Sequence, residues 1–195
     1  MKTRFHIGID EAGRGPLAGP VAVGVVKIPK NFDWGLIEGV NDSKQLSPEN
    51  REAIFRQAQD LRHRGLIDFA VAQVGPSYID EHGIVPAIKL AMSRCIKRLD
   101  LNPAEVSIRL DGSLSAPLQY KQATIIKGDS LWPEIGLASI VAKVTRDKYM
   151  ERIARKYTQY GFEEHKGYGT KVHREAIAKY GKSPIHRVSY CKNIK

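Results

Sequence analysis

Residues 5–28 read FHIGIDEAGRGPLAGPVAVGVVKI, and this stretch decides the fold class. The rough alternation of apolar residues over 5–9 predicts a strand, and the valine-rich run 21–28 predicts a second one. Between them, residues 13–20 read GRGPLAGP, a composition typical of a tight connecting loop. The first strand therefore ends in two adjacent carboxylates, Asp10 and Glu11, beside a glycine-rich loop.

The remaining pattern alternates helices and strands. Ser47 followed by Pro48 predicts a helix start, with serine as the N-cap and proline at the first helical position. Apolar residues from Ile88 to Leu99 recur at helical spacing. Further strands are predicted at 66–74, 106–110 and 123–126, and further helices at 133–156 and 170–180. This order favours an α/β layered fold with a mixed sheet flanked by helices, followed by a basic helical C-terminal region.

The charge of the chain is concentrated near its C-terminus. The 195 residues are 42% hydrophobic and 27% charged, as in soluble globular proteins, with a net charge of +10. Residues 143–195 hold 14 Lys or Arg against 5 Asp or Glu (+9), and residues 1–142 hold 17 against 16 (+1). We therefore expect a catalytic core over 1–142 and a basic region over 143–195, packed together as one functional unit. The basic region favours binding of a polyanion, and the alternative is a solvated helix surface.

The cysteines and the start of the chain predict where the protein works. Cys95 and Cys191 are far apart and fit neither a disulfide framework nor a zinc site. Cys95 lies on the apolar stripe of a predicted helix, which indicates a core residue. The sequence shows neither a signal peptide nor an apolar segment of about 18 residues. These observations favour a reduced, cytoplasmic protein without a membrane span.

Carboxylates follow three of the predicted strands. Asp10 and Glu11 follow the first, Asp111 follows VSIRL, and Asp129 follows ATIIKG. Functional residues of open α/β sheets gather at strand ends, and a cluster of like charges needs a cation to stay ionised. Carboxylate oxygens suit Mg²⁺ or Mn²⁺, and the six histidines show no zinc spacing. The alternative for each site is an Asp that only caps a helix or forms an Asx turn.

Several longer motifs resemble ribonuclease HII, the bacterial type 2 ribonuclease H. They run in order through almost the whole chain: IDEAGRGPLAGP at 9–20, NDSKQLS at 41–47, LDG at 110–112, KGD at 127–129, ASIVAKVTRD at 138–147 and HKGYGT at 165–170. The related type 3 enzymes typically carry an N-terminal substrate-binding domain and a Glu at the fourth acidic site. This chain starts directly at the first strand and has Asp129, so the resemblance favours type 2.

The resemblance implies a fold, an activity and a set of site residues. The fold would be the RNase H-like mixed sheet with a C-terminal helical extension. The activity would be cleavage of RNA in RNA–DNA hybrids and 5′ of ribonucleotides embedded in duplex DNA, as in ribonucleotide excision repair, leaving 3′-hydroxyl and 5′-phosphate ends. Two divalent ions, Mg²⁺ or Mn²⁺, would bracket the scissile phosphate. The four catalytic and metal-binding positions would be Asp10, Glu11, Asp111 and Asp129.

The same resemblance assigns residues to the substrate. The loop Gly13-Arg14-Gly15 would read the 2′-hydroxyl at the cleavage site, and Tyr168 would stack on the sugar of the next nucleotide and favour deoxyribose there. Four more residues lie in matched motifs and are predicted phosphate or supporting contacts: Lys44, Ser139, Lys143 and Arg146. For Lys143 and Arg146 a solvated helix face is the alternative. The closing segment HRVSY at 186–190 only loosely resembles the HRRSF-like end of the family.

Two other functions stay open at this stage. One is a different metal-dependent nuclease on the same fold, of the resolvase or transposase kind, which would need neither the GRG loop nor Tyr168. The other is a non-catalytic nucleic-acid-binding module that uses only the basic region. The expected partners are RNA–DNA hybrids and ribonucleotide-containing DNA, with no membrane. A monomer is expected, and the last residues show no evident sliding-clamp peptide.

Overall fold

The computed structural model describes residues 3–40, 46–112 and 115–194. Five strands form one sheet: β1 (Phe5–Ala12), β2 (Val21–Pro29), β3 (Asp68–Val74), β4 (Val106–Asp111) and β5 (Lys121–Ile125). The helices are α1 (Pro48–His63), α2 (Pro76–His82), α3 (Ile84–Arg98), α4 (Gly128–Leu131), α5 (Pro133–Ala154), α6 (Phe162–His165) and α7 (Lys171–Tyr180). Short 3₁₀ turns lie at Trp34–Leu36, Thr158–Tyr160 and Val188–Tyr190.

The sheet is mixed, in the order β3-β2-β1-β4-β5. Strand β1 is antiparallel to β2 and parallel to β4, and β4 is parallel to β5. The three parallel strands therefore end at one edge of the sheet. Ile9 is paired with Leu110, so that Asp10 and Asp111, the next residues along, lie level at that edge.

Two glycines allow α5 to lie directly on β1 and β2. A Cβ added at Gly8 would lie 1.9 Å from the carbonyl oxygen of Glu134, and one at Gly24 would lie 2.3 Å from that of Ala138. Such distances are far below van der Waals contact. Gly24 is paired with Asp10 across the sheet, so the close approach of α5 occurs beside the first carboxylate.

Three apolar clusters stabilise this arrangement. Helix α3 covers one face of the sheet, where Cys95 and Met92 are buried as the stripe predicted. Helices α1 and α5 pack on the other face. The C-terminal region forms a third cluster with the loop between β1 and β2, through Leu17 and Ala18.

Helix α5 joins the predicted core and the basic region. It runs without interruption from Pro133 to Ala154, so the expected boundary between residues 142 and 143 falls in the middle of a helix. The two parts therefore share one rigid element, and part of the basic region belongs to the core.

Most predicted elements are present, with shifted ends. Ser47 caps α1 by accepting a hydrogen bond from the Asn50 N–H, and Thr170 caps α7 in the same way from His173. Strand β5 begins and ends earlier than ATII suggested, and the seven-residue α2 lacks any predicted counterpart. None of the helices within the described ranges has the length and apolar character needed to cross a membrane.

The close approach of α5 yields a stability prediction. Gly24→Ala places a methyl group against the Ala138 main chain, so α5 has to move, and we expect a loss of about 1–3 kcal/mol in the free energy of unfolding. Urea denaturation measures this loss. Gly15→Ala is the matched control, because an added Cβ there meets nothing within 4 Å. Equal stability of the two variants would contradict the tight helix–sheet contact.

Candidate active site

Three carboxylates lie together at the ends of β1 and β4. Asp10 and Glu11 lie near the C-terminal end of β1, and Asp111 ends β4. The Asp111 charge raises the pKa of both Asp10 and Glu11, which shows that the three groups are electrostatically close. The two neighbouring parallel strands thus end in carboxylates at the same edge of the sheet.

The fourth carboxylate follows β5 and is connected to the same edge. The Gly128 N–H donates a 2.7 Å hydrogen bond to Oδ1 of Asp111, and Asp129 is the next residue, fully buried in α4. In the parts of the chain that the structure describes, no three acidic, histidine or cysteine side chains are arranged to hold a metal ion by themselves. The strand ends thus bring the carboxylates to one region without closing them into a complete ligand set.

Asp10 has the most unusual environment of the four. Only 7% of the residue is exposed, and burial raises its pKa to about 7, with contributions from the Glu11 and Asp111 charges. A hydrogen bond from the Ser139 side chain on α5 and one from the Glu11 N–H at 2.8 Å oppose this rise. Asp10 is therefore a carboxylate whose charge the protein alone stabilises poorly.

Glu11 forms an ion pair with the Arg14 guanidinium. Burial raises its pKa, and the Arg14 guanidinium, 2.8 Å from Oε1, lowers it. Arg14 is exposed on the loop that follows β1, so the predicted substrate residue also contacts a predicted metal ligand.

The predicted recognition residues line one cleft of about 340 Å³. We call residues 13–20 the glycine loop; its first residues form one wall of this cleft. Gly13 has a φ of +88°, a left-handed conformation that disfavours side chains. Other residues of the cleft, from β1, α1, α5 and the segment before α7, are Glu11, Ala12, Arg51, Ser139, Ile140, Lys143 and Tyr168.

Tyr168 and Lys143 face each other across this cleft. Tyr168 is 42% exposed, and the Lys143 ammonium lies 5.8 Å from the centre of its ring. Lys143 also forms a 2.8 Å ion pair with Asp147, one helical turn further along α5. An exposed aromatic ring beside a cation suits contact with a nucleotide.

The outcome is different for two other predicted substrate residues, Arg146 and Lys44. Arg146 is fully buried, and its guanidinium donates to main-chain carbonyls, so the expectation of a solvated helix face is wrong for this residue. The structure places it beneath the glycine loop, in a supporting position. Lys44 lies outside the described residues.

Sequence reasoning missed three residues that touch the site. Arg51 on α1 lines the cleft, and Arg187 donates hydrogen bonds to the carbonyls of Gly13 and Arg14. His173, fully buried, donates from Nδ1 to the Tyr168 carbonyl at 2.8 Å, and burial lowers its pKa to about 4. The signal for Arg187 was the HRVSY segment, in which His186 and Arg187 keep the first two residues of the HRRSF-like pattern.

The residues at the strand ends fit a divalent cation. Every side-chain donor is a carboxylate oxygen, which suits Mg²⁺ or Mn²⁺. The mutually repelling charges of the buried Asp10 and the half-buried Glu11 and Asp111 would be offset by a cation. Because Mg²⁺ usually keeps waters and takes substrate phosphate oxygens, an incomplete protein ligand set is compatible with binding.

The sequence matches one family of known proteins. The family model described as Ribonuclease HII matches residues 7–193. A ribonuclease HII of Caldicellulosiruptor bescii is 46% identical over 191 residues, covering 98% of this chain and 88% of that protein. The crystal structure of the Pyrococcus horikoshii ribonuclease H2 aligns with a TM-score of 0.75 and 29% identity, covering 97% and 96% of the two chains. The ribonuclease HII of a PCNA:RNase HII complex from Archaeoglobus fulgidus aligns with a TM-score of 0.74 and 26% identity, covering 96% and 94%.

The raised pKa of Asp10 predicts a pH-dependent stability of the metal-free protein. In the folded protein the Asp10 carboxyl has a pKa of about 7, whereas in the unfolded chain it ionises at about pH 4. Above about pH 4 the ionised unfolded chain is therefore favoured, and the free energy of unfolding falls. Asp10→Asn removes this penalty. In EDTA we expect the variant to gain stability over the parent between pH 4 and 7, by up to about 4 kcal/mol above pH 7. Urea denaturation at pH 4 and pH 8 measures it, and a pH-independent difference would contradict the assignment.

Proposed function

The chain belongs to the ribonuclease HII family, and we propose that Asp10, Glu11, Asp111 and Asp129 are the residues with which it cuts nucleic acid. The reaction of the family is metal-dependent cleavage of RNA in RNA–DNA hybrids. We further propose that this protein cuts on the 5′ side of ribonucleotides embedded in duplex DNA, leaving 3′-hydroxyl and 5′-phosphate ends.

One observation carries this assignment. Glu11, near the end of β1, lines the same cleft as Gly13, Arg14, Gly15 and Tyr168, so an acidic group lies next to a surface suited to a sugar and a phosphate. Glu11 belongs both to the strand-end carboxylates and to this cleft. The Asp111 charge contributes to its raised pKa, and its side chain lines the cleft. Cleavage chemistry and substrate recognition therefore meet at the end of one strand.

The chemistry follows from the donor set. Two bound Mg²⁺ or Mn²⁺ ions would supply activation of water and stabilisation of the leaving 3′ oxygen. Asp10, Glu11, Asp111 and Asp129 would hold these ions by their carboxylate oxygens. Ser139 fixes the orientation of Asp10 by a hydrogen bond, and Arg14 offsets part of the charge of Glu11. The side chains act as ligands and orienting groups, with no covalent nucleophile.

Selection of RNA requires contact with the 2′-hydroxyl, since phosphates are common to both nucleic acids. Gly15 is exposed on the cleft and a Cβ added there would meet nothing within 4 Å, so the main chain of the glycine loop can be approached by a sugar at this point. Tyr168 lies on the same cleft and would stack on the following sugar. Lys143, Arg51 and Lys44 would contact phosphates.

Location and partners belong to the same proposal. Cys95 and Cys191 are buried free thiols, and burial raises the pKa of Cys95 to about 12, which suits a reduced cytoplasmic protein. We propose a monomer that binds hybrids and ribonucleotide-containing duplexes. A sliding-clamp contact stays a prediction, supported by the archaeal relative solved with PCNA.

The decisive assay uses three duplexes of one sequence: an RNA–DNA hybrid, DNA with a single ribonucleotide, and DNA alone. With Mg²⁺ or Mn²⁺ we expect cuts in the hybrid and 5′ of the single ribonucleotide, and an intact DNA duplex. Cleavage of the all-DNA duplex would favour a resolvase-like nuclease. Metal-independent binding without any cut would favour a binding module.

Substitution of the carboxylates separates cleavage from binding. Asp10→Asn and Asp129→Asn should each lower the cleavage rate by about 100-fold or more, because a metal ligand is lost, while the affinity for the hybrid in EDTA stays unchanged. Asp60→Asn, an exposed carboxylate on α1, is the matched control and should retain full activity. Full activity of both site variants would refute the assignment.

Substitution of Tyr168 tests substrate choice. Tyr168→Ala removes the ring that would stack on the deoxyribose after the cleavage site, so we expect about tenfold slower cleavage at a single embedded ribonucleotide and a smaller loss on a long hybrid. Tyr168→Phe keeps the ring and should keep the preference. The ratio of the two kcat/KM values is the measurement, and an equal loss on both substrates would exclude this role.

A further inference from the structure

A fully buried arginine near the C-terminus holds the main chain of the glycine loop. Arg187 donates from Nη2 to the carbonyl of Gly13 at 2.6 Å, from Nη1 to that of Arg14 at 2.9 Å, and from Nε to that of Gly19 at 3.0 Å. All three sides of its planar guanidinium are used. The bonds join both ends of the loop to a point about 170 residues away in sequence.

Arg146 supports the same loop from α5. It is also fully buried, and it donates to the carbonyls of Pro20, Lys166 and Ala18 at 2.9–3.1 Å. A Cβ at Gly13 would lie 2.0 Å from its Nε, so the side chain fills the space beneath that glycine. The two guanidiniums repel each other, and this repulsion adds to the burial that lowers the pKa of Arg187 to about 10.

The segment that carries Arg187 is anchored on both sides. The Arg187 N–H donates to the Leu17 carbonyl at 2.8 Å, and Ala18 forms an isolated β-bridge with His186. On the other side, Asp80 of α2 accepts hydrogen bonds from the N–H groups of Val188 and Ser189 at 2.8 and 2.9 Å. The position of the guanidinium is thus fixed by main-chain contacts independent of its own side chain.

We propose that Arg187 is a positioning residue for ribose recognition: its guanidinium holds the Gly13–Arg14 main chain in the conformation that reads the 2′-hydroxyl. This inference rests on the proposed function, because it assigns a role to the loop only if that loop contacts the sugar. Arg187 is buried and has no contact with substrate, so it acts through the loop alone.

The chemistry favours arginine over any other residue at this position. Burying a charge is costly, and a neutral apolar side chain would pack without that cost. Only a guanidinium presents five N–H donors in a rigid plane, and here they bind three carbonyls at once. With the Gly13 and Arg14 carbonyls bound by Arg187, both residues also line the cleft.

The test measures discrimination between ribose and deoxyribose. For Arg187→Lys and Arg187→Met, kcat/KM is determined on duplex DNA with one ribonucleotide, and the inhibition constant of the all-DNA duplex of the same sequence is determined in that assay. We expect kcat/KM to fall about 10–100-fold with Met and less with Lys, which keeps the charge and part of the donors. The inhibition constant should stay within about twofold of the parent, since binding of DNA does not use the 2′-hydroxyl.

Two further variants separate positioning from stability. Ile177→Ala, in the apolar cluster of the same region, removes apolar packing but none of the hydrogen bonds to the Gly13 and Arg14 carbonyls, and it should keep the parent kcat/KM at a temperature where it is folded. Asp80→Asn loosens the anchor of residues 188 and 189, and it replaces the Arg187 variants if thermal melting shows them unfolded. It should reproduce their selective loss on a smaller scale.

The outcomes distinguish this inference from the proposed function. Unchanged kcat/KM in the Arg187 variants, an equal fall in DNA affinity, or the same loss in Ile177→Ala would each overturn the positioning role while leaving the function intact. Failure of the parent protein to cut the ribonucleotide-containing duplex would overturn the proposed function, and the positioning role with it.

Discussion

The contact between α5 and the sheet at Gly8 and Gly24 is the constraint on which the site depends. Any side chain at these positions would clash with the main chain of α5, so the helix would have to move away from β1 and β2. The close contact places Ser139 against Asp10 at the level of Gly24. Because α5 continues to Ala154 without a break, the same contact also fixes Arg146 beneath the glycine loop. This helix–sheet distance therefore determines the positions of both Asp10, the proposed metal ligand, and the proposed recognition surface.

The charges of the protein serve separate purposes. At the strand ends, Asp10 and Glu11 are buried near Asp111 at a cost that a divalent cation would offset. In the basic region, the fourteen Lys and Arg residues are not all available to a polyanion, since Arg146 and Arg187 are fully buried and hold main-chain carbonyls. Net charge indicates an anionic partner, but only the fold shows which of the charged residues are buried and stabilise the protein itself.

Much of the fold follows from local sequence. Ser47-Pro48, Thr170 and Gly181 limit helices by capping chemistry that acts within a few residues, and the strands near residues 5 and 21 follow from composition. The convergence of Asp10, Glu11 and Asp111 could be predicted because parallel strands end at one edge. The role of Arg187 could not, since its partners are carbonyls of residues 13, 14 and 19, and carbonyls carry no sequence signal. The predicted boundary between residues 142 and 143 lies inside α5, because a charge count does not register the continuity of a helix.

The account is tested most directly by sulfur substitution at the scissile phosphate of the single-ribonucleotide duplex. If the carboxylates hold divalent ions against that phosphate, one phosphorothioate diastereomer should be cut much more slowly than the oxygen substrate with Mg²⁺. Mn²⁺, which accepts softer ligands, should restore most of the rate. Equal cleavage of both diastereomers and the oxygen substrate with Mg²⁺ would contradict direct contact between metal and phosphate, and with it the central claim about the strand-end carboxylates.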